Sequence, residues 1–94
     1  PSEVAPAVRP RLALYRAIAA REAGAMHALA KEMLTARDLT DLEWQRFVLS
    51  TAMLGALASG RTPEAQDLWA RHVDRLYPDR HYPPHVVILV NWNR

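Results

Sequence analysis

The stretch from Thr40 to Pro78 constrains the fold most, because residues that start and stop helices punctuate it at both ends and in the middle. Thr40-Asp41-Leu42-Glu43 has the form of a capping box, in which the Thr40 hydroxyl accepts from the third helical N–H and Glu43 reaches back. Trp44, Phe47, Val48, Thr51, Leu54 and Leu57 then recur at the spacing of one helix face until Ser59-Gly60 ends the run. Thr62-Pro63-Glu64 opens a second helix with a cap residue, a first-turn proline and an acid at the positive end of the dipole. Ala65, Leu68, Trp69, His72, Val73 and Leu76 supply its apolar stripe, and Tyr77-Pro78-Asp79 stops it, since a residue before proline is driven out of helical geometry. Two helices with so short a joint pack back on each other.

The preceding region repeats the theme with weaker punctuation. Pro1, Pro6 and Pro10 make residues 1–10 an extended lead-in, with Pro10 suited to a first turn and a helix beginning at Arg11. Leu12, Tyr15, Ile18 and Ala19 carry that helix to Ala23, and Met26, Leu29, Ala30, Met33 and Leu34 form a second stripe beyond Gly24. Positions 12, 15, 19, 26, 29 and 33 also thread on one stripe, so a single long helix with an interior glycine is the alternative to a turn at Gly24. Internal repetition favours the turn. Ala23-Gly24 and Ser59-Gly60 lie 36 residues apart (23 to 59), an offset that places Ile18 on Leu54, Ala20 on Ala56 and Met33 on Trp69. The expected fold is all-α, with four antiparallel helices in two helical hairpins over residues 11–79, followed by a C-terminal extended segment or short strand.

That last segment, residues 80–94, changes character. Pro83-Pro84 precedes Val86-Val87-Ile88-Leu89-Val90 and Trp92, a run rich in β-branched residues that reads as a strand; a short fifth helix starting at the double proline is the alternative. An apolar strand alone in a helical domain leaves backbone groups unpaired and apolar surface wet, so it calls for an edge, a groove or a second copy. Val86, Ile88, Val90 and Trp92 are therefore the expected interface residues, Trp92 because it follows the apolar run between Asn91 and Asn93.

Leu54-Gly55, Gly60, Ala65, Trp69 and Tyr77-Pro78 resemble the tetratricopeptide repeat over residues 44–79, with its Leu-Gly, Gly, Ala, aromatic and closing Pro through two antiparallel helices. Here Leu-Gly stands closer to the turn glycine than in that family, the family's tyrosine is missing and the proline comes one residue late. The resemblance implies a protein-binding helical repeat.

The chemistry-bearing residues point away from catalysis. A chain of 94 residues, half of them hydrophobic, makes one small domain, and the absence of cysteine removes disulfides, thiolate metal sites and thiol nucleophiles. Three isolated glycines form no phosphate loop, and Ser2, Ser50 and Ser59 lack a nucleophile elbow. Pro1 has no strand behind it that would bury its nitrogen as a base. Of His27, His72, His81 and His85, only the last two have ligand-like spacing, and Pro83-Pro84 forbids the helix that would align them. His72, spaced with Trp69 and Leu76, reads as half-buried and bonded to a neighbour. Asp67 and Arg71 read as an ordinary helix pair, and Asp38 and Asp41 as caps. No cofactor or metal site is expected.

Eleven arginines spread along the whole chain among acids, with a net charge of only +2, argue against a nucleic-acid surface, which needs its basic groups gathered. The longest apolar run, Val86 to Val90, is far shorter than a membrane span. The expected function is thus a soluble, non-enzymatic protein–protein interaction or oligomerisation module, partnered by a protein or by itself through the C-terminal segment. Arg-mediated nucleic-acid binding and a regulatory domain of a larger enzyme are the alternatives.

Overall fold

The structure is a computed structural model that describes residues 8–35 and 41–91. Its helices are α1 (Val8–Ala19), α2 (Ala23–Leu34), α3 (Leu42–Ala58), α4 (Thr62–Leu76) and α5 (Pro84–Asn91), and there is no strand among the described residues. α3 is the centre. It packs against α2, α4 and α5, while α1 lies on α2. A helix surrounded in this way must be apolar on nearly every side, and α3 buries Trp44, Val48, Leu49, Ala52, Met53 and Ala56 among others. Leu14 of α1, Ala30 and Met33 of α2, Leu68 and Leu76 of α4, and Val86 and Leu89 of α5 complete one continuous core.

Small residues set how closely α2 and α3 approach. A Cβ at Gly55 would stand 2.6 Å from both the Ala23 carbonyl oxygen and the His27 backbone nitrogen, so the crossing requires a glycine there. Gly24 has open space where its Cβ would be.

The two helical hairpins close by the same turn. Ala20, Arg21 and Glu22 donate to the carbonyls of Arg16, Ile18 and Ala17; Ser59, Gly60 and Arg61 donate to those of Gly55, Leu57 and Ala56. Each turn holds one left-handed residue, Arg21 at φ 57° and Gly60 at φ 78°, in the arrangement that satisfies the last carbonyls of a helix. The structural offset is thus 39 residues (21 to 60) and not 36, and the first turn precedes Gly24, which falls inside α2. Glycine is the residue that adopts this conformation most readily. Burial of Leu14 and Ala17 together with Met26 nevertheless places the bend where an arginine must adopt it.

Further expectations are corrected. Val8, Arg9 and Pro10 are already helical, so α1 starts before Arg11; proline is tolerated there because first-turn N–H groups have no helical partner. Residues 1–7 of the expected lead-in lie outside the described residues. Asp41 caps α3, its Oδ1 accepting from the Glu43 and Trp44 backbone N–H at 3.0 and 3.4 Å; Thr40 and Asp38 lie outside the described residues. α4 begins at Thr62 itself, with Arg61 at the cap position, because the Arg61 carbonyl already accepts from the Glu64 and Ala65 N–H groups.

The C-terminal segment is the largest correction, since residues 84–91 form a helix where a strand was expected. Val86 and Leu89 are three residues apart and Val90 is one further, which brings them to one face against the core. A helix also satisfies its own backbone, starting with the Val86 and Val87 N–H groups on the Pro83 carbonyl, whereas a strand would have found no edge to pair with among the described residues. Packing and hydrogen bonding outweigh the β-preference of valine and isoleucine, which spans only about 1 kcal/mol.

Candidate interaction surfaces

The expected interface residues divide between the two sides of α5. Val86 is in the core and Val90 packs against it. Ile88, at 64% exposure, is the most exposed large apolar residue described, and its neighbour Val87 is 41% exposed. Trp92 lies outside the described residues. The outward face is therefore carried by Ile88 with Val87, a residue missed because the alternation of a strand would have turned it the other way. α5 contains no Asp, Glu, Lys or Arg, whereas each of the other four helices carries charge.

A second apolar surface lies where α1 meets the start of α3. Trp44 and Phe47 stack with ring centroids 5.3 Å apart, and Tyr15 reaches both across the helix boundary, at 5.9 and 6.1 Å. Tyr15 is 50% and Phe47 39% exposed, while Trp44 beneath them is 7% exposed. The Trp44 indole Nε1 is buried with no hydrogen-bond partner among the described residues. The Arg11 guanidinium sits 4.3 Å from the centroid of the Trp44 ring. Exposed large apolar side chains on helices all belong to α1, α3 or α5 among the described residues, and none to α2 or α4.

Trp69 instead joins Tyr77 and Tyr82 in an aromatic cluster that pins the connection between α4 and α5. Arg46 of α3 lies 4.7 Å from the Tyr77 ring centroid and donates through Nε to the Leu76 carbonyl at 2.8 Å, which ties the end of α4 to α3. Burial raises the Tyr77 hydroxyl above its ordinary pKa.

The polar feature that sequence reasoning missed is His27. It is 3% exposed in α2; its Nδ1 stands 3.3 Å from the Ala52 carbonyl of α3 and its Nε2 2.7 Å from Glu64 Oε2 of α4. Each ring nitrogen faces an oxygen, Nδ1 the Ala52 carbonyl and Nε2 the Glu64 carboxylate, so the ring joins three helices. An open groove of about 220 Å³ runs past it, lined by Lys31, Pro63, Asp67 and Leu68 as well as His27 and Glu64. Both nitrogens of the ring are engaged within the fold, and it is 3% exposed. The arrangement does the work of a structural clasp. No sequence signal marked it, because its partners lie 25 and 37 residues away (27 to 52 and 27 to 64).

The other histidines and acids take local partners. His72 Nδ1 accepts from Arg75 Nη2 at 2.8 Å, and its pKa is lowered by burial, then by Arg75 and Arg71. His81 and Asp79 approach to 3.5 Å and His85 is exposed at the start of α5. Arg71 pairs with Asp67 at 2.8 Å, and Arg75 donates to the Gln45 side chain on α3. No group of three potential metal ligands gathers among the described residues, and no described helix is long and apolar enough to cross a membrane. No family model matches the chain, and neither a curated protein nor a solved structure matches it.

Proposed function

We propose that this chain is a non-enzymatic protein–protein interaction module of tandem helical hairpins, and that it associates with a second copy of itself through the outer face of α5. The observation that carries the reading is a charge-free helix with Ile88 and Val87 in solvent on the side opposite Val86 and Leu89. A helix apolar all round belongs between two packed surfaces, and the described residues supply one. A second copy suits this face, because an isologous pair sets the same apolar patch of each copy against the other and α5 has no Asp, Glu, Lys or Arg to repel its own image. The two matching hairpin turns support the repeat character.

Covering the exposed parts of Ile88 and Val87 contributes about 2–3 kcal/mol per protomer. Association entropy opposes this, so the dimer falls apart on dilution. Light scattering over a dilution series tests it: the mass should fall from twice the monomer value towards the monomer, and Ile88→Glu should be monomeric throughout with its helical circular dichroism intact. A monomer at every concentration, or an Ile88→Glu variant that still dimerises, refutes the reading.

A further inference from the structure

The α1–α3 patch carries three independent signs of a ligand. Two exposed aromatic rings, Tyr15 and Phe47, flank a nearly buried Trp44, a composition that belongs to interface cores more than to bare surface. The Trp44 Nε1–H has no acceptor among the described residues, where a buried indole donor ordinarily finds one. Arg11 stacks on the same indole, and no carboxylate lies within ion-pair distance of it among the described residues, unlike Arg46, Arg61 and Arg71. A guanidinium held over an aromatic face can still take a carboxylate by two parallel hydrogen bonds. The sequence of α1 adds Arg9 and Arg16 and no acidic residue, so the whole helix favours an anionic partner.

We infer that this patch binds an acidic, apolar peptide segment of a protein partner, distinct from the self-association proposed for α5. A carboxylate of the segment pairs with Arg11, its apolar side chains cover Tyr15 and Phe47, and one of its oxygens accepts from Trp44 Nε1–H as Tyr15, half exposed, swings aside. α5 of another copy cannot be this occupant, since it has no acid to offer.

The test is a ¹⁵N NMR titration of the intact chain, following the indole N–H signals of Trp44, Trp69 and Trp92, with that of Trp44 assigned through Trp44→Phe. Three ligands are used: an end-blocked synthetic peptide alternating glutamate with leucine, its glutamine counterpart and a single-stranded oligothymidylate. The acidic peptide should give a saturable downfield shift of the Trp44 indole proton while the Ile88 backbone amide signal stays in place. Arg11→Gln should weaken binding about tenfold, the loss of one charged hydrogen-bonded contact, with Arg11→Lys in between because it keeps charge and loses the planar fork. Tyr15→Ser provides a second variant, also expected to weaken binding, and circular dichroism establishes that each is folded. An unmoved Trp44 signal at millimolar peptide, equal binding of the glutamine peptide, binding of the oligonucleotide alone, or full affinity in the folded variants overturns the proposal. None of these outcomes depends on whether the chain dimerises through α5.

Discussion

Replacing Gly55 by alanine isolates the contact on which the arrangement of α2 and α3 depends. The added methyl would meet the Ala23 carbonyl oxygen and the His27 backbone nitrogen, both at 2.6 Å, far inside van der Waals contact. Neither is a side-chain tip that can rotate away, so α2 must shift as a unit. Forced expansion of a packed interior costs about 1–3 kcal/mol, and two backbone obstacles place this case near the upper end. Alanine in mid-helix returns about 1 kcal/mol relative to glycine, which leaves a net loss of about 2 kcal/mol. For a domain of this size that lowers the thermal midpoint by about 10 °C. Gly24→Ala is the matched control, since the same methyl enters open space near the start of α2 and should stabilise by about 0.5 kcal/mol. Thermal and urea denaturation followed by circular dichroism reads both. If Gly55→Ala is neutral or stabilising while Gly24→Ala behaves as expected, α2 and α3 do not cross where the structure puts them.

Asp41→Ala removes the acceptor of two N-terminal N–H groups of α3 and should cost about 1 kcal/mol in urea denaturation, while Asp41→Asn should recover most of it; equal losses would show that charge and not capping matters. Arg21→Gly relieves a left-handed arginine and should raise stability by about 0.5 kcal/mol, so a loss would mean that the arginine side chain holds the turn. The folded-state pKa of His72 lies below its ordinary value of 6.5, so the neutral ring is favoured in the fold. Its contribution is fully present above that value and is lost as the pH falls through it towards the folded pKa. A stability profile of His72→Gln should therefore be flatter than that of the parent on the acidic side, and identical slopes would contradict the assignment.

Local chemistry made much of the helical framework legible. Ser59-Gly60, Pro63 and Pro78 mark helix ends by backbone restrictions that hold in any surroundings, and α3 and α4 end and begin within a residue or two of them. Gly24 misled because glycine permits a left-handed turn without requiring one; the bend fell at Arg21, where Leu14, Ala17 and Met26 could all be buried. The C-terminal run misled for a related reason. β-branched residues tip the local balance only slightly, and contact with α3 decided it in favour of helix α5.

The candidate surfaces were legible to a lesser degree. An apolar C-terminal segment was evident from composition, but the helical period, and not the residues themselves, set Ile88 and Val87 in solvent and Val86 in the core. Arg11, Tyr15, Trp44 and Phe47 come together, as do His27 and Glu64, only because separate helices pack. The sequence alone settled, to within a residue or two, where α3 and α4 start and stop, since caps, glycines and prolines act on their own backbone; which faces meet, and what is left facing water, awaited tertiary packing, because burial is a property shared between segments distant along the chain.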